Sequence, residues 1–275
     1  MSLPLIAHSR LFSKYNGSWG MAWYVGCGDG TTIDQQNVFI DEMDKIGANV
    51  AILNLMNEEL STLFVGEYMN SAWDQRRIDL LMGMIQRLRD RGKMAGIAFF
   101  DGPASDNPKY PFLRYSDRHV PFMQIVTQAL APVVDVFFIG IETNRYASIT
   151  DVEDVIDVVS PLACRMINGV RYQIPVSTHE QNVGRVGNGF KMLRRVARNA
   201  HFVGYETINH PHNGDAVSVA DMVREVEFLV ANSGGRGVWV MESNSSDSQR
   251  VEEQNNALAQ IPGVIGVDGP MQKNT

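Results

Sequence analysis

Eight short runs of β-branched, aromatic and apolar residues recur along this 275-residue chain, and all but the last lead into a segment with apolar residues at helical spacing. The runs are Trp19–Gly26, Asn49–Leu55, Met94–Phe100, the stretch from Asp135 that closes on Glu142, Tyr172–Thr178, Phe202–Tyr205, Gly237–Met241 and Val264–Val267. Helical spacing fills the intervals over Ile33–Ile46, Asp74–Arg91, His119 to about Ala131, Ile149–Ile167 with a break near Pro161, Gly189–Asn199, Val219–Ala231 and Ser248–Gln260. The runs are continuously apolar rather than alternating, the signature of parallel strands covered on both faces. Right-handed βα crossovers repeated in this way close on themselves, so the expected fold is α/β, a single (β/α)8 TIM barrel over residues 1–275. An N-terminal arm precedes its first strand, and its eighth helix is short or missing.

Composition narrows the function. The length suits a barrel, which typically needs about 250 residues. The chain is 44% hydrophobic and 20% charged, and no apolar run approaches the roughly 20 residues of a membrane span, so no membrane partner is expected. The N-terminal residues carry no basic stretch ahead of their apolar patch, and the expectation is a cytoplasmic protein or one exported without a recognisable signal peptide. Cys27 and Cys164 are far apart and suggest neither a disulfide framework nor a metal knuckle; Cys164 is expected in a helix. Arg87, Arg89, Arg91 and Lys93 form the one dense basic cluster, but at a helix end, where cations complement the dipole, so nucleic acid is not an expected partner.

The chemistry should lie where the strands end. Six of those ends carry an acid: Asp101, Glu142, Glu180, Glu206, Glu242 and Asp268. Any one of them could be a solvated loop residue, but their gathering at one rim asks for another reason. Glu142 and Glu242 each close a hydrophobic run and are each followed by an asparagine two positions on, Asn144 and Asn244. Period-two counting puts Phe138, Gly140 and Glu142 on one face, and Val238, Val240 and Glu242 on another, both expected to line the barrel interior, with Trp239 turned toward the helices.

Glycoside hydrolysis needs a proton donor for the leaving oxygen and a second carboxylate at the anomeric carbon. The arrangement resembles the clan of retaining (β/α)8 glycoside hydrolases, whose acid/base glutamate ends strand four and whose nucleophile ends strand seven. That resemblance implies Glu142 as acid/base and Glu242 as nucleophile, acting on an oligo- or polysaccharide without a cofactor or metal. Two departures stand: Ile141 occupies the place where most of the clan has asparagine, and Val267-Asp268-Gly269 replaces the usual strand-eight tryptophan. The substrate-binding candidates are Trp23, Asp101, Asn144, His179, Tyr205, Glu206 and Asn244, with Tyr205 expected beside Glu242 to hold it ionised by a hydrogen bond.

Other classes compete. Chitinase-like barrels carry D-x-x-D-x-D-x-E on strand four, and only Asp135 and Glu142 agree with that pattern, which disfavours substrate-assisted chemistry. His179-Glu180 with His210 and His212 would suit a metal-dependent sugar isomerase or hydrolase barrel. A barrel that binds carbohydrate without cleaving it is a third possibility, since fold does not dictate chemistry.

Overall fold

The computed structural model describes residues 21–24, 33–45, 48–55, 75–99, 119–140, 143, 147–181, 197–206, 218–242 and 248–267. Over these the strand and helix order follows the sequence rhythm. The helices are α1 (Ile33–Lys45), α2 (Gln75–Asp90), α3 (His119–Leu130), α4 (Ile149–Val159), α5 (Val219–Asn232) and α6 (Ser248–Ala259). The strands are β1 (Met21–Tyr24), β2 (Val50–Asn54), β3 (Met94–Ala98), β4 (Val136–Phe138), β5 (Cys164–Ile167), β6 (Val170–Gln173), β7 (Val176–Ser177), β8 (His179–Gln181), β9 (Val203–Glu206), β10 (Val238–Glu242) and β11 (Val264–Gly266).

Parallel pairing runs in chain order from β1 through β2, β3 and β4 to β7, and again from β8 through β9 and β10 to β11. The two ladders share one barrel strand, because β7 and β8 are consecutive and separated only at Thr178. β7 pairs with β4 on one side and β8 with β9 on the other. Among the described residues the ladder does not return from β11 to β1. It does curl: the Phe138 ring of β4 lies 6.0 Å from Trp239 of β10 and 5.6 Å from Phe202.

Alternation along the strands divides the core in two. Val50 and Ile52 of β2, Met94 and Ala98 of β3, Val136 and Phe138 of β4, and Trp239 and Met241 of β10 pack on one another in the concave interior. The intervening residues, such as Leu53, Ile97 and Phe137, pack against the helices. Phe137 stacks on Phe99 there at 5.8 Å. The interior is tight enough to need a glycine at position 96, where a Cβ would come within 2.6 Å of Val136 Cγ1 and 2.7 Å of Ile52 Cδ1.

Two expectations are corrected between α4 and the fifth barrel strand. The helix expected to reach Ile167 ends at Val159, and Cys164 opens a strand instead. β5 and β6 form an antiparallel hairpin with Ile167 level with Val170. Asn168 (φ 51°) and Gly169 (φ 77°) make its two-residue turn. An Asn-Gly pair between β-branched residues is the strongest short-range hairpin signal, because both turn positions need positive φ. The segment Tyr172–Thr178 is therefore not one strand: Tyr172 and Gln173 belong to this hairpin, and the barrel strand begins only at Val176. The Gln173 amide fastens the hairpin base by donating to the carbonyls of Ser160, Ala163 and Ile174, each at 2.9 Å.

The hairpin packs under the N-terminal end of β4. Arg165 of β5 donates to Asp135 Oδ1 at 3.3 Å and to the Val134 carbonyl at 3.2 Å, and both charged side chains are buried. Asp135 Oδ2 also accepts from the Ala95 backbone at 3.2 Å. Asp135 is thus part of a buried ion pair at the foot of the strand, remote from the end where Glu142 follows. Its agreement with the chitinase pattern has a structural cause.

Candidate active site

The rim is built by β4, β8, β9 and β10. β4 is regular, with Phe138 in the interior and Phe137 toward the helices, and Ile139 N donates to Ser177 O at 2.9 Å to continue the ladder. The start of α4 is fixed by a capping box: Ser148 Oγ accepts from Asp151 N at 3.1 Å and Asp151 Oδ2 accepts from Ser148 N at 3.4 Å.

β10 behaves differently. Val238 and Val240 pack with Met222, Val226 and Leu229 of α5 and Leu258 of α6, while Trp239 and Met241 point inward. The expected faces of this strand are reversed. Trp239 does not turn to the helices; it is wedged between Phe138 and Phe202, with Gly266 leaving room for its indole. The alternation is then interrupted. Val240 is level with Tyr205 and Glu242 with Glu206, so β10 uses two residues where β9 uses one. A bulge of this kind re-aims the residues beyond it and is common beside active sites. It places Glu242 at the register position of Glu206, one step past the helix-facing Tyr205.

Tyr205 itself belongs to the helix-facing layer. Its ring packs with Val203, Val238 and Val240, and its hydroxyl donates to Glu225 Oε1 of α5 at 2.5 Å. The sequence placed it beside Glu242. Trp23 stands level with Ile52 of β2. Asp101, Glu142, Asn144 and Asn244 lie outside the described residues, as do His210 and His212.

β8 supplies two buried polar residues. His179 is level with Gly204, where a Cβ would run into the Thr178 carbonyl oxygen and come within 2.8 Å of Met241 Sδ. The absence of a side chain at 204 is what lets β8 and β9 approach so closely. His179 has no exposed surface, and burial pushes its imidazole down to about 3, so it is neutral at ordinary pH. Glu180 is also buried, and its Oε1 accepts a 2.8 Å hydrogen bond from the Thr143 hydroxyl. Sequence reasoning named Glu180 as one of six strand-end acids but missed Thr143, which no motif singles out. Its one visible signal is that it directly follows Glu142. Among the described residues no three His, Cys, Asp or Glu side chains converge as a metal-holding group.

With this geometry in view, the chain can be compared with known proteins. No protein-family profile matches it, and no curated protein matches its sequence. Solved structures do match. A family 5 glycoside hydrolase from Bacteroides vulgatus aligns over 98% of this chain and 63% of its own, at TM-score 0.62 and 12% identity. The endo-1,4-beta-mannanase from Rhizomucor miehei aligns over 91% of this chain and 85% of its own, at TM-score 0.63 and 10% identity. In fold the chain is similar to these (β/α)8-barrel glycoside hydrolases, as an α/β protein with parallel sheets. A beta-glucosidase mutant derived from a hyperthermophilic tetrameric structure aligns with 94% of this chain and 86% of its own at TM-score 0.60 and 9% identity. The chain spans only about half, 52%, of a second Bacteroides vulgatus barrel that it matches at TM-score 0.64.

Proposed function

We propose that this barrel is a glycoside hydrolase acting on an oligo- or polysaccharide, with Glu142 as general acid/base and Glu242 as nucleophile. The observation that carries the reading is the relation of β4 to β10. Their rings, Phe138 and Trp239, touch across the interior, and the two glutamates follow four and three residues further along parallel strands that run the same way. Carboxylates carried on these two strand ends would converge over one mouth. The bulge before Glu242 supports the same reading, because it breaks the parity that would otherwise keep this residue in line with helix-facing Val240. Likeness in fold to glycoside hydrolases supports the class of substrate.

Glu142 would protonate the leaving oxygen while Glu242 attacks the anomeric carbon. Water, deprotonated by Glu142, would then release the sugar from the glycosyl-enzyme. Glu206, level with Glu242 on the neighbouring strand, would hold a sugar hydroxyl, and Trp23 would stack on a pyranose face. Carboxyl groups about 5 to 5.5 Å apart leave no room for an intervening water and give retention, whereas about 6.5 to 9.5 Å would give inversion.

A panel of aryl glycosides and polysaccharides, assayed with and without chelator, tests the reading. Turnover that survives chelation and falls by at least about 10²-fold in both Glu142→Gln and Glu242→Gln is expected. Loss of turnover on chelation would favour a metal-dependent barrel, and sugar binding without turnover would favour a lectin-like one. NMR of the first-formed anomer decides between retention and inversion.

A further inference from the structure

At the foot of the barrel β7 meets β9 through one residue. On its β4 side β7 is held by the carbonyls of Pro175 and Ser177, which accept from Phe137 N and Ile139 N at 2.9 Å each. Val176, between them, directs its own N–H and C=O the other way, and both go to His201. The His201 backbone N donates to Val176 O at 3.0 Å, and Val176 N donates to the imidazole Nδ1 at 3.1 Å. A ring nitrogen thus stands where the next rung of a parallel ladder would supply a backbone carbonyl. We propose that His201 is a pH-sensitive latch on this seam: its neutral imidazole holds β7 to β9 through Nδ1, and a proton on Nδ1 releases the hold.

Hydrogen-bond accounting fixes the tautomer. Nδ1 lies 3.1 Å from Val176 O as well as from Val176 N, so an Nδ1–H would face that carbonyl. Val176 O is already satisfied by His201 N, whereas the Val176 N–H, in a residue with no exposed surface, has Nδ1 as its acceptor. Leaving a buried N–H unpaired costs more than a second bond to a satisfied carbonyl returns, so the neutral ring carries its proton on Nε2. A proton on Nδ1 sets N–H against N–H. Burial disfavours the charged ring and the Val176 carbonyl partly offsets it, which leaves the His201 midpoint below its ordinary 6.5. The charges around the foot offer the imidazolium no partner. Glu153 of α4 is taken through both oxygens by Arg198, Asp157 accepts from Asn199 Nδ2, and Asp135 on the β4 side is paired with Arg165. Arg236, ahead of β10, donates to the carbonyl of Ala200, the residue before His201, so its guanidinium opposes a further positive charge there. The latch is therefore whole above 6.5, and its contribution is lost as pH falls below that value and through the folded midpoint. One step up the strand Ser177 Oγ donates to Phe202 O at 2.6 Å, and β8 pairs with β9 beyond, so release opens the foot of the seam rather than the rim.

The test follows the imidazole and the Val176 amide together in the full chain between pH 7 and pH 4. Long-range 1H–15N correlation reports which ring nitrogen carries the proton and where the ring titrates. Native-state hydrogen exchange, corrected for the intrinsic rate, reports the protection of Val176 N. The neutral ring should be the Nε2–H form, and Val176 protection should fall by about 10-fold or more with the midpoint of the ring, while that of Ile139 N changes little. His179, pushed down to about 3, titrates below this range. His201→Asn places an amide oxygen at the position of Nδ1 and should keep Val176 protected throughout. His201→Leu removes the acceptor and should leave Val176 weakly protected even at pH 7; if it does not fold, wild type and His201→Asn decide. Four results overturn the latch: an Nδ1–H tautomer at pH 7, a ring that stays neutral until the chain unfolds, a ring that titrates with Val176 protection unchanged, or the same loss of protection in His201→Asn.

Discussion

β4 and β10 lead toward the two glutamates proposed for catalysis, Glu142 and Glu242, and they differ in regularity. β4 keeps strict alternation, and Ile139, Gly140 and Thr143 beyond it bond to Ser177, His179 and Glu180. β10 gives up alternation between Val240 and Glu242, where β9 advances one residue and β10 two. The difference teaches that counting by twos holds along a regular strand, where it puts Phe138 in the interior, and fails where a strand has no polar face to fix its phase or carries a bulge, as β10 does around Trp239.

The largest effect should come from the interior contact that joins the two strands. Phe138→Ala and Trp239→Ala are each expected to lower unfolding free energy by about 3 to 5 kcal/mol. Denaturation of the double variant should show them coupled by about 0.5 to 3 kcal/mol, since the rings touch. Val240→Ala, on the helix side, should be additive with Phe138→Ala. Additivity of the Trp239 pair would break the comparison, because Trp239 would then not face β4.

Next in size is Gly204→Ala. Its added methyl meets the Thr178 carbonyl and Met241 Sδ, and overpacking of this kind costs about 1 to 3 kcal/mol. The strain would bear on β8 and β10 together, so turnover should fall along with the thermal midpoint. A fully stable and active variant would show that β8 and β9 are not so closely set.

The buried imidazole gives a pH signature. The folded pKa of His179, about 3, lies below its ordinary 6.5 because burial disfavours the charged form. Between those values the unfolded chain holds a proton that the folded chain does not, so stability falls as pH drops through this window. His179 should contribute a slope of up to about 1.4 kcal/mol per pH unit, and the overall slope should be smaller by that contribution in His179→Asn. Chemical denaturation at pH 7, 6 and 5 measures it, and identical slopes in the two proteins would mean that His179 is not buried in the wall between the strands.

The smallest expected effect is that of Tyr205→Phe. Loss of the bond to Glu225 should cost about 1 to 2 kcal/mol while leaving kcat unchanged, because the hydroxyl serves the helix layer. A drop in kcat without a drop in stability would return Tyr205 to the catalytic face and undo the parity assigned to β9 and β10.

Much of the fold was legible in the residues themselves. Apolar runs such as Val50–Asn54 and Met94–Ala98 became parallel strands because only strands buried on both faces can be apolar throughout. The hairpin at Asn168-Gly169 was legible too, through its turn dipeptide, but the helical spacing upstream of Pro161 was carried too far across it. At the site, the sequence by itself marked Glu206 and Glu242 as the last residues of their strands, because an apolar run that stops at a glutamate records its own boundary. It could not determine which way Trp239, Tyr205 or the residues past Val240 face. A period-two pattern in a strand buried on both sides has no polar face to fix its phase, and a bulge shifts that phase without any composition signal. Only the tertiary structure decided that Thr143 and Glu180, 37 positions apart, would bond, because that contact exists only once β7, which runs on into β8, has paired with β4.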